Sequence, residues 1–284
     1  MLWFTALLGC GVTMVTDAGP PVVEARPLIG FTVVETRSVD VDITLGAEFA
    51  VQVHGGQTQV DRVVTRVVGD TLYVERPSGV VSFVGGPRVH VVLPDLRGIT
   101  STGSADVEVH DLTGHDLRIE LSGAGDATLH GSVERLESHL SSLGDLEATG
   151  LQGTRIDLRS TGTGDATLGG VVQGVDVTTT SLGKVHIDGI AGAEVVRAVA
   201  EGGGDIHLSG EADRAFLTTR GQGDIHARAL TVADATVRST SSGKVELTAT
   251  GEVTGALESL GDLDLWGGAV HQVAIAGTGE VRLH

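Results

Sequence analysis

The sequence predicts an all-β fold: a single-stranded parallel β-helix, wound right-handed, of about ten rungs with an N-terminal β cap. Three observations predict it. A short phrase, small-x-Gly-Asp-apolar-x-apolar, recurs ten times along the 284 residues, each position in the phrase keeps one chemistry from copy to copy, and the apolar residues alternate with period two. The charged position falls at Asp106, Asp126, Asp145, Asp165, Lys184, Asp205, Asp224, Lys244, Asp262 and Glu280, in steps of 18 to 21 residues. A period in this range marks stacked units that bury a core only against their neighbours.

The chain opens with the apolar run Met1 to Leu8 and the tetrapeptide Leu7-Leu8-Gly9-Cys10, which resembles a bacterial lipobox followed by its lipid-acceptor cysteine. Residues 1–10 are therefore assigned as a signal or lipobox-like segment with Cys10 as the lipidation site, although the run has no Lys or Arg and is shorter than a normal signal peptide. Cys10 is the only cysteine, so no intrachain disulfide can form. Residues 11–29 hold three of the six prolines and no clean period, and are read as a tether. Residues 30–97 alternate as strands without the Gly-Asp phrase, for example Val39, Val41 and Ile43, then Val89, Val91 and Leu93, and are assigned as the cap that a solenoid end requires.

Residues 98–284 are assigned as the repeats. One and three places after the charge the residue is apolar, from Val107 and Val109 to Val281 and Leu283. The residue between is polar, as in Glu108, Thr128, His186, Glu246 and Arg282. That is the alternation of a strand with one buried face. A second alternating strand lies nine, seven and five places before the charge, as in Leu117, Ile119 and Leu121. Between the two strands stands a glycine column, Gly125, Gly144, Gly164, Gly183, Gly204, Gly223, Gly243, Gly261 and Gly279, where a tight corner excludes a side chain or requires positive φ. A second corner follows the phrase at Gly131, Gly150, Gly189, Gly210 and Gly267.

Net charge −18 sets nucleic acid aside as a partner. The stacked aspartates, among them Asp205 and Asp224, invite a calcium reading because Ca²⁺ takes dense oxygen ligands; the competing reading is that each carboxylate accepts backbone N–H bonds at its corner. His186, His207 and His226 share one outward column on consecutive rungs and invite a transition-metal reading, against a plain surface ladder. The sequence favours the structural reading of both columns, and it assigns neither a catalytic residue nor a cofactor. Glycoside chemistry needs two carboxylates at a defined separation, whereas these acids are spread evenly along an edge.

The stretch VHVVLPDLRGITSTGSADVEV at 89–109, followed by copies such as GAGDATL and GGGDIHL, resembles the head GIN domain family of bacterial adhesin-like proteins, over about residues 31–284. The resemblance implies a β-helical domain of exported proteins, often lipoproteins, and brings no catalytic residues with it. The expectation is a non-enzymatic structural or adhesion module, periplasmic or on the cell surface and held to an outer membrane through Cys10. Its partner would be a protein or glycan surface. The alternative is a scaffold that self-associates through its solenoid ends; a polysaccharide-acting β-helix enzyme or a calcium-binding module is ranked below both.

Overall fold

The computed structural model describes residues 13–15, 19–77, 80–82 and 85–284. Cys10 lies outside them. The repeats form a parallel β-solenoid of about nine turns. The long strands Val107–Leu121, Ala127–Leu140, Leu146–Ser160, Ala166–Thr179, Val185–Ala200, Ile206–Thr219 and Ile225–Ser239 each lie parallel on the next. Val107 sits opposite Ala127, Val109 opposite Leu129 and Leu117 opposite Leu136, so one apolar column rides on another. Val107, Val109, Leu117, Ile119 and Leu121 are at most 1% exposed. Each such aliphatic side chain contributes about 1.5–3 kcal/mol by leaving water, and the inside of the coil is one continuous core.

The second corner differs from its sequence reading. In the long strands it is a bulge within one strand, because pairing shifts between Val109 and Leu112 and then resumes, whereas at Gly267 the chain does break between Leu263–Trp266 and Val270–Ile275. Gly131 and Gly150 lie at the bulge at φ +125° and +80°, left-handed geometry that glycine adopts without strain.

The first corner works by a different device. Gly164 has no positive φ; a Cβ on it would instead lie well inside 3.0 Å of the Gly144 carbonyl oxygen one rung below. The same clash meets a Cβ at Gly125, Gly144, Gly183, Gly204, Gly223, Gly243, Gly261 and Gly279. The corners lie this close because their backbones hydrogen-bond from rung to rung, as in Leu143 N–H to Gly123 O (2.9 Å) and Thr163 N–H to Ser142 O (3.0 Å). The column is glycine because backbone rests on backbone.

At the N-terminal end, Val33–Arg37 and Asp40–Leu45 lie parallel on Gly98–Thr102 and Val107–Leu121 and form a rung of their own. Ser38, at φ +57°, makes its corner, and Asp40 stands in the charged column. The stretch 30–97 thus contains a rung as well as the strands that cover it. Thr71–Glu75 and Arg88–Leu93 add a further parallel layer. Pairing then turns antiparallel: Ala50–Gly56 on Arg88–Leu93, Pro21–Arg26 on Ala50–Gly56, and Val64–Val68 on Thr71–Glu75. Residues 21–26, read from sequence as tether, are therefore an edge strand, and Pro21 sits at its first position where a missing N–H is tolerated. The four-residue helix Gln57–Val60 places Val60 in the core of the cap.

At the other end, Val281–Leu283 lies on Leu263–Trp266, and Val270–Ile275 lies on Glu252–Leu257. The last of the ten phrases supplies only this three-residue strand.

Candidate functional site

The charged column runs along the first corner and forms a hydrogen-bonded ladder. Asp106 Oδ1 accepts the N–H of Asp126 (3.0 Å), Asp126 that of Asp145 (2.8 Å), Asp145 that of Asp165 (2.7 Å) and Asp165 that of Lys184 (2.7 Å). Asp205 Oδ1 takes the N–H of Asp224 (3.0 Å), Asp224 that of Lys244 (2.7 Å) and Asp262 that of Glu280 (2.9 Å). Asp40 does the same for Asp106 in the first rung. The corner turns one backbone donor per rung out of the β ladder, and the aspartate below receives it. This is the chemistry of a helix N-cap repeated along an edge.

It follows that Asp145→Ala should cost about 1 kcal/mol, the usual loss when such an acceptor is removed. Asp145→Asn keeps the acceptor and should stay within about 0.5 kcal/mol of the parent, since it also relieves like-charge repulsion along the column. Denaturant unfolding of the two variants checks this.

Two places after the charge lies the outward column on which the histidines stand. His186 and His207 stack at 5.1 Å with 9° between ring planes, and His207 and His226 at 4.5 Å with 21°. The rungs place the rings; their hydrogen bonds then separate them. His186 Nε2 pairs with Asp188 (3.2 Å), whereas His226 Nδ1 lies 2.9 Å from Glu246 Oε2. Burial, then the neighbouring His226 and His186, push the pKa of His207 down, which favours neutral imidazole. Asp205, His207 and His226 bring one ligand atom each within 4.8 Å of one another, and Asp224 and His186 are not in that cluster.

The sequence places Glu246 and Asp264 in the same outward column but gives them no part in a site, and it does not bring out the second cluster, Glu108, His110 and His130. His110 and His130, each four places after the charge, stack at 5.6 Å. Two histidines at one column position on adjoining rungs were the available signal.

Elsewhere several acids are paired with cations. The groove lined by Asp95, Arg97, His115, Arg118 and Glu137 is open. In it Arg97 bonds Asp95 (2.6 Å), and Arg118 bonds Glu120 and Glu137 (2.8 and 2.9 Å). Among the described residues no helix is long and apolar enough to cross a membrane.

The comparisons agree with this geometry. A protein from Parabacteroides distasonis described as a putative adhesin is similar in structure: 17% identity, 96% of this chain and 100% of that one covered, TM-score 0.55. Another from the same organism, described as a putative lipid binding protein, has 17% identity over 96% and 100% of the two chains and a TM-score of 0.51. At these identities the likeness is one of fold. No curated protein matches the chain. One family profile matches residues 31–191 and again 158–269, described as "Putative auto-transporter adhesin, head GIN domain". With most of the rungs inside that match, the chain belongs to the head GIN domain family.

Proposed function

We propose that this protein is an exported β-solenoid that acts as a structural or adhesion module at the bacterial surface or in the periplasm, without catalysis of its own. The observation that carries the reading is the outward surface of the coil. Side chains stand on it in straight columns at strand spacing, and Asp95 and Glu137 in its open groove are paired with Arg97 and Arg118. Such a surface matches a repetitive protein or glycan partner. Family membership supports the same reading.

The anchor belongs to this proposal. Cys10 is the lipid acceptor, and Gly11 after it favours the outer membrane over retention at the inner one. Growth of cells with a labelled fatty acid is expected to label the parent and leave Cys10→Ser unlabelled and released from membranes. Equal labelling of both, or of neither, contradicts the anchor. Adhesion itself is read by binding of the purified chain to intact cells and immobilised glycans, expected to be saturable; its absence on every surface would contradict the module reading.

A second reading, self-association through the solenoid end, is favoured by one observation. Val270, Ile275 and Leu283 on the last described rung are 68, 52 and 61% exposed. Mass measured at rising concentration separates the two readings: a constant monomer supports the lone module, and a mass that climbs with concentration supports the scaffold. The calcium reading loses support to the corner ladder, in which one oxygen of each linked aspartate is occupied by a backbone N–H. Millimolar Ca²⁺ is accordingly expected to leave the unfolding temperature unchanged, whereas a bound ion would raise it.

A further inference from the structure

We infer that Asp205, His207 and His226 form a binding site for one borderline divalent transition metal ion, Zn²⁺ or its analogues Co²⁺ and Ni²⁺, on the outward face of the solenoid. The three side chains come from two adjoining rungs, and their ligand atoms lie within 4.8 Å of one another. Ligands of a tetrahedral zinc are about 3.4 Å apart, as follows from metal–ligand distances near 2.1 Å. Side chains that are partly exposed close that difference by rotation about χ1 and χ2, which also opens the His207–His226 stack so that both ring planes turn toward the ion. Two imidazoles and one carboxylate suit zinc and its neighbours rather than calcium, which prefers oxygen alone.

A second observation points to the same ion. Glu246 Oε2 accepts from His226 Nδ1 at 2.9 Å, so the proton sits on Nδ1 and the Nε2 lone pair is left to coordinate. A carboxylate behind a histidine is the usual means by which a metal ligand is oriented and made more basic. Glu246 is itself fixed, because Lys244 Nζ bonds its other oxygen at 2.9 Å and Asp264 at 2.6 Å. Asp205 gives Oδ1 to the N–H of Asp224 and keeps Oδ2 for the ion. His186 is drawn away to Asp188.

The other cluster lacks these supports. Glu108 already faces His110 (3.3 Å) and Arg88 (4.0 Å), and His130 Nδ1 meets the Thr149 hydroxyl (3.1 Å) where His226 meets a carboxylate. Three protein ligands leave a coordination position open, through which a water or a donor from a partner surface reaches the metal.

The test is titration of the untagged full chain with Zn²⁺ by calorimetry and with Co²⁺ by visible absorption. One equivalent is expected to bind, with the intense bands of a four-coordinate Co²⁺ site. His207→Ala and His226→Ala should each weaken binding by about 100-fold or more. Glu246→Gln should weaken it by about 10- to 100-fold and shift the Co²⁺ bands, as loss of an orienting carboxylate does. His186→Ala should bind as the parent does. All four positions face outward, and circular dichroism checks that each variant is folded. Absence of saturable one-to-one binding overturns the site, as do parent affinity in both His207→Ala and His226→Ala, or loss of binding in His110→Ala.

Discussion

Gly164→Val is expected to be among the most damaging single changes in the solenoid, lowering the unfolding temperature by several degrees, while Thr167→Val three residues on is nearly silent. A Cβ at Gly164 falls on the carbonyl oxygen of Gly144, and that oxygen belongs to backbone that cannot rotate away. The two corners must part, and parting stretches the rung-to-rung hydrogen bonds that flank the glycine, such as Thr163 N–H to Ser142 O. Overpacking of this kind costs about 1–3 kcal/mol and more when backbone is displaced. Gly164→Ala should show most of the loss, since the first carbon makes the clash. Gly192→Ala separates this cause from backbone torsion: Gly192 has φ +64° and open space around it, so about 1 kcal/mol is expected there. Gly169, with neither constraint, should accept alanine without loss. Thr167 points outward and takes valine within about 0.5 kcal/mol.

Lys244→Met is expected to destabilise the C-terminal rungs by about 2–3 kcal/mol, because it strands a buried carboxylate. Asp264 is only 6% exposed although it stands in an outward column. Lys244 Nζ bonds it at 2.6 Å, while Arg282 and His284 stand at 3.8 and 3.7 Å, beyond hydrogen-bonding reach. Lys184, the other lysine of the charged column, is exposed, and Lys184→Met should change stability by less than about 0.5 kcal/mol. The double variant Lys244→Met, Asp264→Leu should recover most of the loss, since removing both charges leaves nothing unpaired. Hydrogen bonds to Asp264 and then Glu246 hold the Lys244 pKa above its ordinary 10.5. A raised pKa means that this contribution is fully present below 10.5 and is lost as pH rises through the folded value. The parent should therefore lose part of its advantage over Lys244→Met in alkaline denaturation and keep it at neutral pH.

The rungs were legible from the Gly-Asp phrase because a wound strand repeats its constraints at every turn. Gly164 and Gly223 must be glycine for the same reason, and their spacing gives the pitch of the coil in residues. Where a rung meets its constraints with other residues it was hidden. Residues 33–45 turn on Ser38 and place Asp40 in the column without a preceding glycine, so they read as cap. Pro21–Arg26 read as tether because prolines crowd its start, yet one at the head of an edge strand costs no ladder bond. At the second corner glycine marks both a bulge in the long strands and a break at Gly267, and only pairing on either side tells them apart.

Side-chain pairing was the least legible. Columns predicted that His186, His207 and His226 would stack, but not that Asp188 and Glu246 would draw the outer two in different directions. A row of buried hydroxyls was also missed. Ser160, Thr179, Thr219 and Ser239 replace the inward Leu121 and Leu140 of earlier rungs, and they are satisfied inside the corner, as in Thr179 to Ser181 (2.6 Å) and Thr219 to Ser239 (2.9 Å). Polar residues at apolar positions look like defects until their partners one rung away are known.

The claim on which the rest stands is that residues two places after each charge lie directly above one another. Nitroxide labels on Thr128→Cys and Glu147→Cys in a Cys10→Ser background test it, because these positions are parallel strand partners. At the strand spacing of about 4.8 Å, the doubly labelled chain should give a spectrum dominated by spin exchange and dipolar broadening, and labels on Thr128→Cys and Thr167→Cys, two rungs apart, a weaker broadening. Sharp, uncoupled lines from the adjacent pair in a folded chain would contradict the stacked parallel register.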